Sequence, residues 1–435
     1  MSAPISTNDT SIVTTKKQQK IATIDCILSD QMLGEIFKFV GAGHYRYIAG
    51  VNKRFRGVYN YFAAAPAGMK YVTLSRHAVA SISCAKVALE KLRYRICEQA
   101  AKHGQLEVLQ WARENGCPWD EMTCSKAASG GHLEVLKWAR ANWCRWDTKT
   151  CMEAAKRGHL EIIHWARSNG CRWDKETCSS AAEGGHLKVL KWARANGCPW
   201  DTSTCASAAK KGHLEILQWA RSKWCPWDEM TCSKAAGGGH LEMLQWARSN
   251  GCPWNEETCA EAAAEGYLDI LQWAREHECP WNEDTCSRAA GVGNLEVLMW
   301  ARANGCPWDE DTCRSAAGAG HLEILQWARE NECNWNEYTC SSAAYGGQLE
   351  VLQWLRTNGC PWNEDTCAAA ARGGHLEILQ WARSNGCPWD EDTCFFASLV
   401  GYMDILKWAI ANECPCNAKS CMDARLWVKE NFEDG

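Results

Sequence analysis

The sequence has no apolar run long enough to cross a bilayer, and its first twenty residues lack the apolar stretch of a secretory signal. It also contains no Walker-type phosphate loop, no dinucleotide-binding glycine fingerprint, no His-Glu-x-x-His zinc motif and no nucleophile elbow. These absences argue against an integral membrane protein and against the common enzyme classes. We therefore expect an intracellular protein, cytoplasmic or nuclear, that is not an enzyme and uses no cofactor.

Tryptophan and cysteine are, by contrast, unusually abundant, at 26 and 28 of 435 residues. Twelve tryptophans, from Trp111 to Trp408, follow one another at intervals of 27 residues. A second series runs from Trp119 to Trp389 at the same interval. A fixed period of this length is typical of repeat architectures, so the sequence predicts an array of 27-residue units.

We divide the chain around this array. Residues 93–416 hold twelve repeats, and residues 417–435 form a partial repeat that caps the C-terminal end. Before the array we expect a flexible tail at residues 1–22, a helical module at residues 23–62, and a linker with a degenerate capping repeat at residues 63–92.

Each repeat has the pattern of two short helices joined by a tight turn. In the repeat that begins at Asp120, this aspartate has the position of a helix N-cap, and Gly131 has the position of a helix stop. Cys124 and Ala128 share one face of the first helix, and Leu136 lies on the apolar side of the second. Two such short helices cannot bury their apolar faces alone, so the pattern predicts an all-α solenoid of stacked helix-turn-helix repeats.

The repeated run AA-x-x-GHLE-x-L-x-W-A-R-x-NGCPW is similar to the ankyrin repeat, with its alanine pair, Gly-His turn, apolar second helix and short loop. Cys117 and Trp119 stand where that loop has a small and an apolar residue. The repeats are shorter than the usual 33 or so residues, and Thr123 and Cys124 replace the usual Thr-Pro-Leu-His start. The resemblance implies an ankyrin-like solenoid with blunt loops, whose usual activity is protein binding.

The N-terminal module, residues 25–62, resembles an F-box, a small helical module that docks onto the adaptor subunit of a cullin-RING ubiquitin ligase. The alternative is a helical cap that covers the first repeat. The resemblance implies docking through the following apolar residues: Leu28, Met32, Leu33, Ile36, Phe37, Val51 and Phe55.

The periodic cysteines, tryptophans and histidines have structural interpretations. Equivalent cysteines of neighbouring repeats lie too far apart for disulfides, and the close Cys-x-x-Cys pairs of zinc sites are absent, so we interpret the cysteines as small buried hydrophobes. We expect the periodic tryptophans to fill gaps between repeats. The position of His132 is occupied by Gln, Asn or Tyr in other repeats, which favours a turn hydrogen bond over a catalytic or metal-binding role.

Six aromatic residues depart from the repeat pattern and are our candidates for contact with a partner protein. Trp143 and Trp224 replace a loop glycine, on one edge of the array, and exposed tryptophan is a favoured interface anchor. The alternative is that each indole folds over the adjacent loop. The other four replace small or polar first-helix residues, and the last two of them have an alternative role in the C-terminal cap: Tyr338, Tyr345, Phe395 and Phe396.

Charge is distributed unevenly along the chain. The net charge is +14 over residues 1–227 and −19 over residues 228–435. Such a dipole steers charged partners at low salt, and its acidic half makes a nucleic-acid track along the whole array unlikely. We expect a protein–protein interaction scaffold, in its most specific form the substrate-recognition subunit of a cullin-RING ligase. The alternatives are a free-standing scaffold and, less favoured, a cysteine-rich metal or redox buffer.

Overall fold

A computed structural model describes residues 95–416, which form 24 helices of seven to ten residues and no strand. They fall into two compact units, residues 95–177 and residues 178–416, and the point of division lies within the helix α7, Lys175–Glu183. In each unit the helices form hairpins that stack one on the next, so the predicted all-α solenoid is confirmed over the described residues. No helix there has the length and apolar character to span a membrane.

The helices alternate between the first and second helix of each repeat. In the first unit they are α1 Ile96–Lys102, α2 Leu106–Glu114, α3 Glu121–Gly130, α4 Leu133–Ala141, α5 Thr148–Lys156 and α6 Leu160–Ser168. In the second unit they are α8 Leu187–Ala195, α9 Thr202–Lys210, α10 Leu214–Ser222, α11 Glu229–Gly237, α12 Leu241–Ser249, α13 Glu256–Glu265, α14 Leu268–Glu276, α15 Glu283–Gly291, α16 Leu295–Ala303, α17 Glu310–Ala319, α18 Leu322–Glu330, α19 Glu337–Tyr345, α20 Leu349–Thr357, α21 Glu364–Gly373, α22 Leu376–Ser384, α23 Glu391–Val400 and α24 Met403–Ala411.

In the repeat that begins at Asp120, the first helix begins and ends as the sequence predicts, whereas the N-caps Asp228, Asn255 and Asn363 make no side-chain cap bond. At the start of α3, the side chain of Asp120 accepts a hydrogen bond of 2.9 Å from the backbone N–H of Met122. This bond satisfies one of the free donors at the helix N-terminus. The helix ends at Gly131, whose φ of +81° lies in the left-handed region. The chain therefore reverses within two residues and enters α4.

The loop after the second helix is closed by short backbone hydrogen bonds. After α2, the backbone N–H of Cys117 donates to the carbonyl oxygen of Ala112 at 3.0 Å. Gly116, between them, has a φ of +70°. A helix that ends in this way satisfies its last carbonyls while it turns the chain toward the next repeat.

The core of each unit consists of small first-helix residues and larger second-helix residues. In one hairpin, Cys124, Ala127 and Ala128 are fully buried, together with Leu136 and Ala139. Because alanine has a small side chain, neighbouring first helices pack closely against one another, whereas a second helix contacts chiefly its own first helix. The opposite face of the first helices is left exposed, and that face carries the repeat-specific residues.

Candidate partner-binding surfaces

The periodic tryptophans lie at the margin of the core and not inside it. Trp119 and Trp138 are partly buried and meet edge to face, with 5.7 Å between ring centroids. The guanidinium of Arg113 lies 4.3 Å above the Trp119 ring and donates to the carbonyl oxygen of Cys117. We expected these tryptophans to fill gaps between repeats, and Trp119 and Trp138 do meet between consecutive repeats. One face of the Trp119 ring is covered by arginine and not by an apolar neighbour.

This arginine–tryptophan arrangement is a structural element of the repeats and not a free binding site. Its stacking recurs in eleven repeats, at 4.0 to 4.3 Å from guanidinium carbon to ring centroid. Each of these arginines also donates to a loop carbonyl, which ties the second helix to the loop that follows it. Guanidinium and indole groups held in this way are already engaged with each other.

Trp143 and Trp224 are of a different kind. Their side chains are 90% and 88% exposed, which contradicts the alternative that the indoles fold over adjacent loops. Their φ values of +66° and +63° match the left-handed conformation of the glycine that other repeats have there. At one such glycine, Gly170, an added Cβ would meet nothing within 4 Å, so a side chain at this loop position points into solvent. Their contact with a partner stays a prediction.

Within residues 95–416 every cysteine except Cys416 is buried, and the buried cysteines lie in pairs that the sequence analysis missed. Cys124 lies beside Cys144 of the same hairpin, twenty residues along the chain, and the Cys144 thiol is 3.2 Å from the carbonyl oxygen of Asp120. Burial raises the pKa of the Cys97 thiol to about 12, and the contact with the Cys144 thiol, together with burial, raises the pKa of Cys124. Across residues 95–416 no three His, Cys, Asp or Glu side chains lie close enough to hold a metal ion.

A groove crosses the exposed face of the first helices in the second unit. It is explained by the seventh residue of each repeat, counted from the N-cap. Along the unit this position is occupied by Ser207, Lys234, Glu261, Arg288, Ser315, Ser342, Ala369 and Phe396. Glu261 pairs with Lys234 at 2.9 Å and with Arg288 at 3.8 Å, so long side chains fill the surface there.

The groove begins where these long side chains end. Ser315, Ser342 and Ala369 are too short to fill the space between neighbouring rows, and they form its floor. Phe396 closes the far end. The resulting cavity has a volume of about 600 Å³ and crosses α17, α19 and α21 toward α23.

The walls of the groove come from the third and tenth residues of the same repeats. Tyr338 and Asp365, at third positions, form one wall, and Tyr345 and Arg372, at tenth positions, form the other. The two tyrosines are 51% and 52% exposed. The Arg372 guanidinium lies 5.7 Å from the ring centroid of Tyr345 and 5.4 Å from that of Phe396. Aromatic surface and charge are thus both accessible in one depression.

The structure therefore brings together three of the six predicted partner-contact residues, Tyr338, Tyr345 and Phe396. Phe395 packs edge to face on Phe396 at 5.3 Å, half-buried, and does not line the groove. The sequence signal for the groove is the succession of small seventh residues, which aromatic content alone does not reveal. The F-box-like segment with its docking residues, from Leu28 to Phe55, lies outside the described part of the chain.

Comparison with known proteins supports the repeat assignment. Residues 97–140 match the family model of ankyrin repeats in many copies. No match was found among the curated proteins. The ankyrin repeat domain of human ASB11 is 16% identical, with a TM-score of 0.30, and the match covers 36% of this chain and 84% of that one. The pentatricopeptide repeat protein PPR10, in complex with an 18-nucleotide psaJ RNA element, is 12% identical, with a TM-score of 0.35, and the match covers 98% of this chain and 75% of that one.

Neither structural likeness is close enough to transfer a ligand to this chain. The family match is the more informative result, since it falls on the alanine pair, turn glycine and second helix of consecutive repeats. Residues 97–140 carry the ankyrin-repeat pattern, and repeats of that family typically serve as non-enzymatic scaffolds that bind other proteins.

Proposed function

We propose that this chain is a non-enzymatic protein-binding scaffold, and that the groove holds an extended segment of a partner protein. The observation that carries the proposal is the change from ion-paired to small side chains at the seventh position, which opens a cavity beside exposed tyrosines. Tyrosine supplies large contact area at low cost in side-chain entropy, and it is enriched among residues that dominate binding energy. An extended chain fits, since the groove runs across several helices and is open to solvent.

A peptide-display library, selected against the purified full chain, tests this proposal. Ser342→Trp places a large ring on the groove floor, whereas Ser207→Trp makes the same change at an equivalent, partly buried seventh position outside the groove. We expect selected peptides to bind the wild type and Ser207→Trp with similar affinity. We expect their affinity for Ser342→Trp to be at least tenfold lower. Matching thermal unfolding of the two variants shows that both fold. If no selected peptide distinguishes the two variants, the groove is not the binding site.

We also propose an intracellular protein whose F-box-like segment docks onto a cullin-RING ligase adaptor, so that the repeats select the substrate. The support is the sequence resemblance across residues 25–62. Binding of purified adaptor to the full chain, measured with wild type and with Leu33→Asp, tests it. Loss of binding in the variant supports docking, and no binding by the wild type leaves a free-standing scaffold. The thiol-buffer alternative is disfavoured because burial protects the cysteines that it would need.

A further inference from the structure

We propose that the groove selects a cationic side chain, arginine or lysine, presented by an extended partner segment with small flanking residues. This inference rests on the proposed function and names the chemistry of the partner. It follows from the charge and aromatic character of the two walls, from the state of the arginines that line the groove, and from the field of the surrounding surface.

One wall is acidic. The third residues of the repeats around Tyr338 are all carboxylates: Glu257, Asp284, Asp311, Asp365 and Asp392. Asp365 lines the groove itself and is exposed, with one carboxylate oxygen accepting a hydrogen bond of 3.1 Å from the side-chain amide of Asn363. Its remaining acceptor capacity faces a cavity where an incoming donor would be partly desolvated, which strengthens a charge-assisted hydrogen bond.

The other wall is aromatic and already accommodates a cation. Tyr345 and Phe396 flank the guanidinium of Arg372, with centroid distances below 6 Å. Ring faces attract cations through their quadrupole, and guanidinium groups also stack on them. The position of Arg372 shows that a guanidinium fits against these rings. A partner side chain of the same kind can lay its aliphatic stem on Tyr338, on the wall opposite Arg372, and extend its head to Asp365.

The arginines of the groove do not reverse this preference. Arg314 pairs with Asp311 at 3.0 Å, so its charge is compensated at close range. Arg372 lies over the Tyr345 and Phe396 rings, whose quadrupoles partly offset its charge. Beyond the groove, the chain from residue 228 onward carries a net charge of −19, which raises the local concentration of basic segments. Electrostatic complementarity thus favours a basic occupant over an acidic one.

Fluorescence anisotropy with synthetic peptides tests this inference on the full chain. The probes are labelled nine-residue peptides of Gly, Ser and Ala with arginine, lysine, citrulline or glutamate at the centre. Citrulline keeps the shape of arginine and removes its charge. We expect the arginine and lysine probes to bind at least tenfold more tightly than the citrulline probe, with glutamate weakest. The preference should shrink as salt rises from about 50 to about 300 mM, because exposed charges are screened.

Two carboxylate variants localise the effect. Asp365→Asn should reduce the arginine preference at least fivefold, whereas Asp284→Asn removes the same charge at an equivalent third position outside the groove and should leave it unchanged. Ser342→Trp should abolish binding of every probe. If the citrulline or glutamate probe binds as tightly as arginine and Ser342→Trp still blocks it, the groove binds peptides and the cation preference is wrong.

Two further outcomes are informative. If no probe and no library peptide responds to Ser342→Trp, the proposed function itself fails. The chain also contains a basic segment of its own, with Lys16, Lys17 and Lys20. If deletion of residues 1–22 tightens arginine-probe binding at least tenfold, that tail competes for the groove, and the occupant is the chain itself and not a partner.

Discussion

His159 lies directly over Gly131 of the preceding repeat. Its Nε2 atom is 3.3 Å from the carbonyl oxygen of Ser129, so the ring joins two hairpins through a turn hydrogen bond. A Cβ atom added to Gly131 would lie 2.7 Å from the Cε1 atom of the ring. The predicted turn role of this histidine is thus confirmed, and glycine is required both by the positive φ and by the ring.

Replacing Gly131 should lower the free energy of unfolding more than replacing a loop glycine of similar conformation. We expect Gly131→Ala to lower the free energy of unfolding by about 2–4 kcal/mol, since left-handed strain and a steric clash add together. Gly170→Ala, with φ of +84° and open space around the new methyl group, should cost about 1 kcal/mol. Urea denaturation of both variants checks the difference. Equal losses would show that the histidine moves aside freely.

The repeated features of the fold were predictable because they depend on local sequence. The helix caps and turn glycines recur with the 27-residue period, so the same physical explanation can be checked against many repeats. Asp120 caps α3 and Gly131 ends it for reasons that lie within a few residues of each position. Local rules therefore gave the helices, their order and the buried alanines.

The features that the sequence analysis missed depend on neighbours in space. Cys124 and Cys144 are free thiols that lie side by side, although they come from opposite ends of one hairpin. Their proximity follows only from the three-dimensional arrangement of both helices. The groove requires Ser315, Ser342 and Ala369 to be adjacent across three repeats, and it follows from the absence of large side chains. A residue-by-residue search for anchors finds Tyr345 but not the space beside it.

The arginine that covers each loop tryptophan should contribute measurably to stability. Arg140 lies 4.2 Å above Trp146 and donates to the carbonyl oxygen of Cys144. We expect Arg140→Ala to lower the free energy of unfolding by about 2–3 kcal/mol, from a charge-assisted hydrogen bond and a partly exposed cation–π contact. Arg140→Lys should recover less than half, since lysine lacks the planar fork. Arg145→Ala, in the exposed part of the same loop, is the control and should change little.

Thiol burial predicts a specific dependence on pH and on alkylating reagents. Burial raises the pKa of Cys97 from about 9 to about 12, so the folded chain holds this proton more tightly than the unfolded chain. Stability from this group is complete below pH 9 and is lost as the pH rises toward 12. Urea titrations between pH 8 and 11 should show falling stability, with a shallower slope for Cys97→Ala.

At pH 8, iodoacetamide should leave the buried cysteines of the native chain unmodified until urea unfolds it; rapid labelling would contradict their burial.

Trp143 combines a strained backbone with a side chain that has few contacts, and this combination predicts an unusual mutant. Its φ of +66° costs about 1 kcal/mol for a residue with a Cβ atom, and the indole is 90% exposed. Trp143→Gly should therefore raise the free energy of unfolding by up to about 1 kcal/mol. The greater backbone entropy of glycine in the unfolded chain reduces this gain. Gly170→Trp, at the equivalent position of the next repeat, should lower it by a similar amount. A loss of stability in Trp143→Gly would mean that the indole packs against the protein in solution. A gain would mean that the residue lowers stability, which is the pattern expected where strain is retained for contact with a partner.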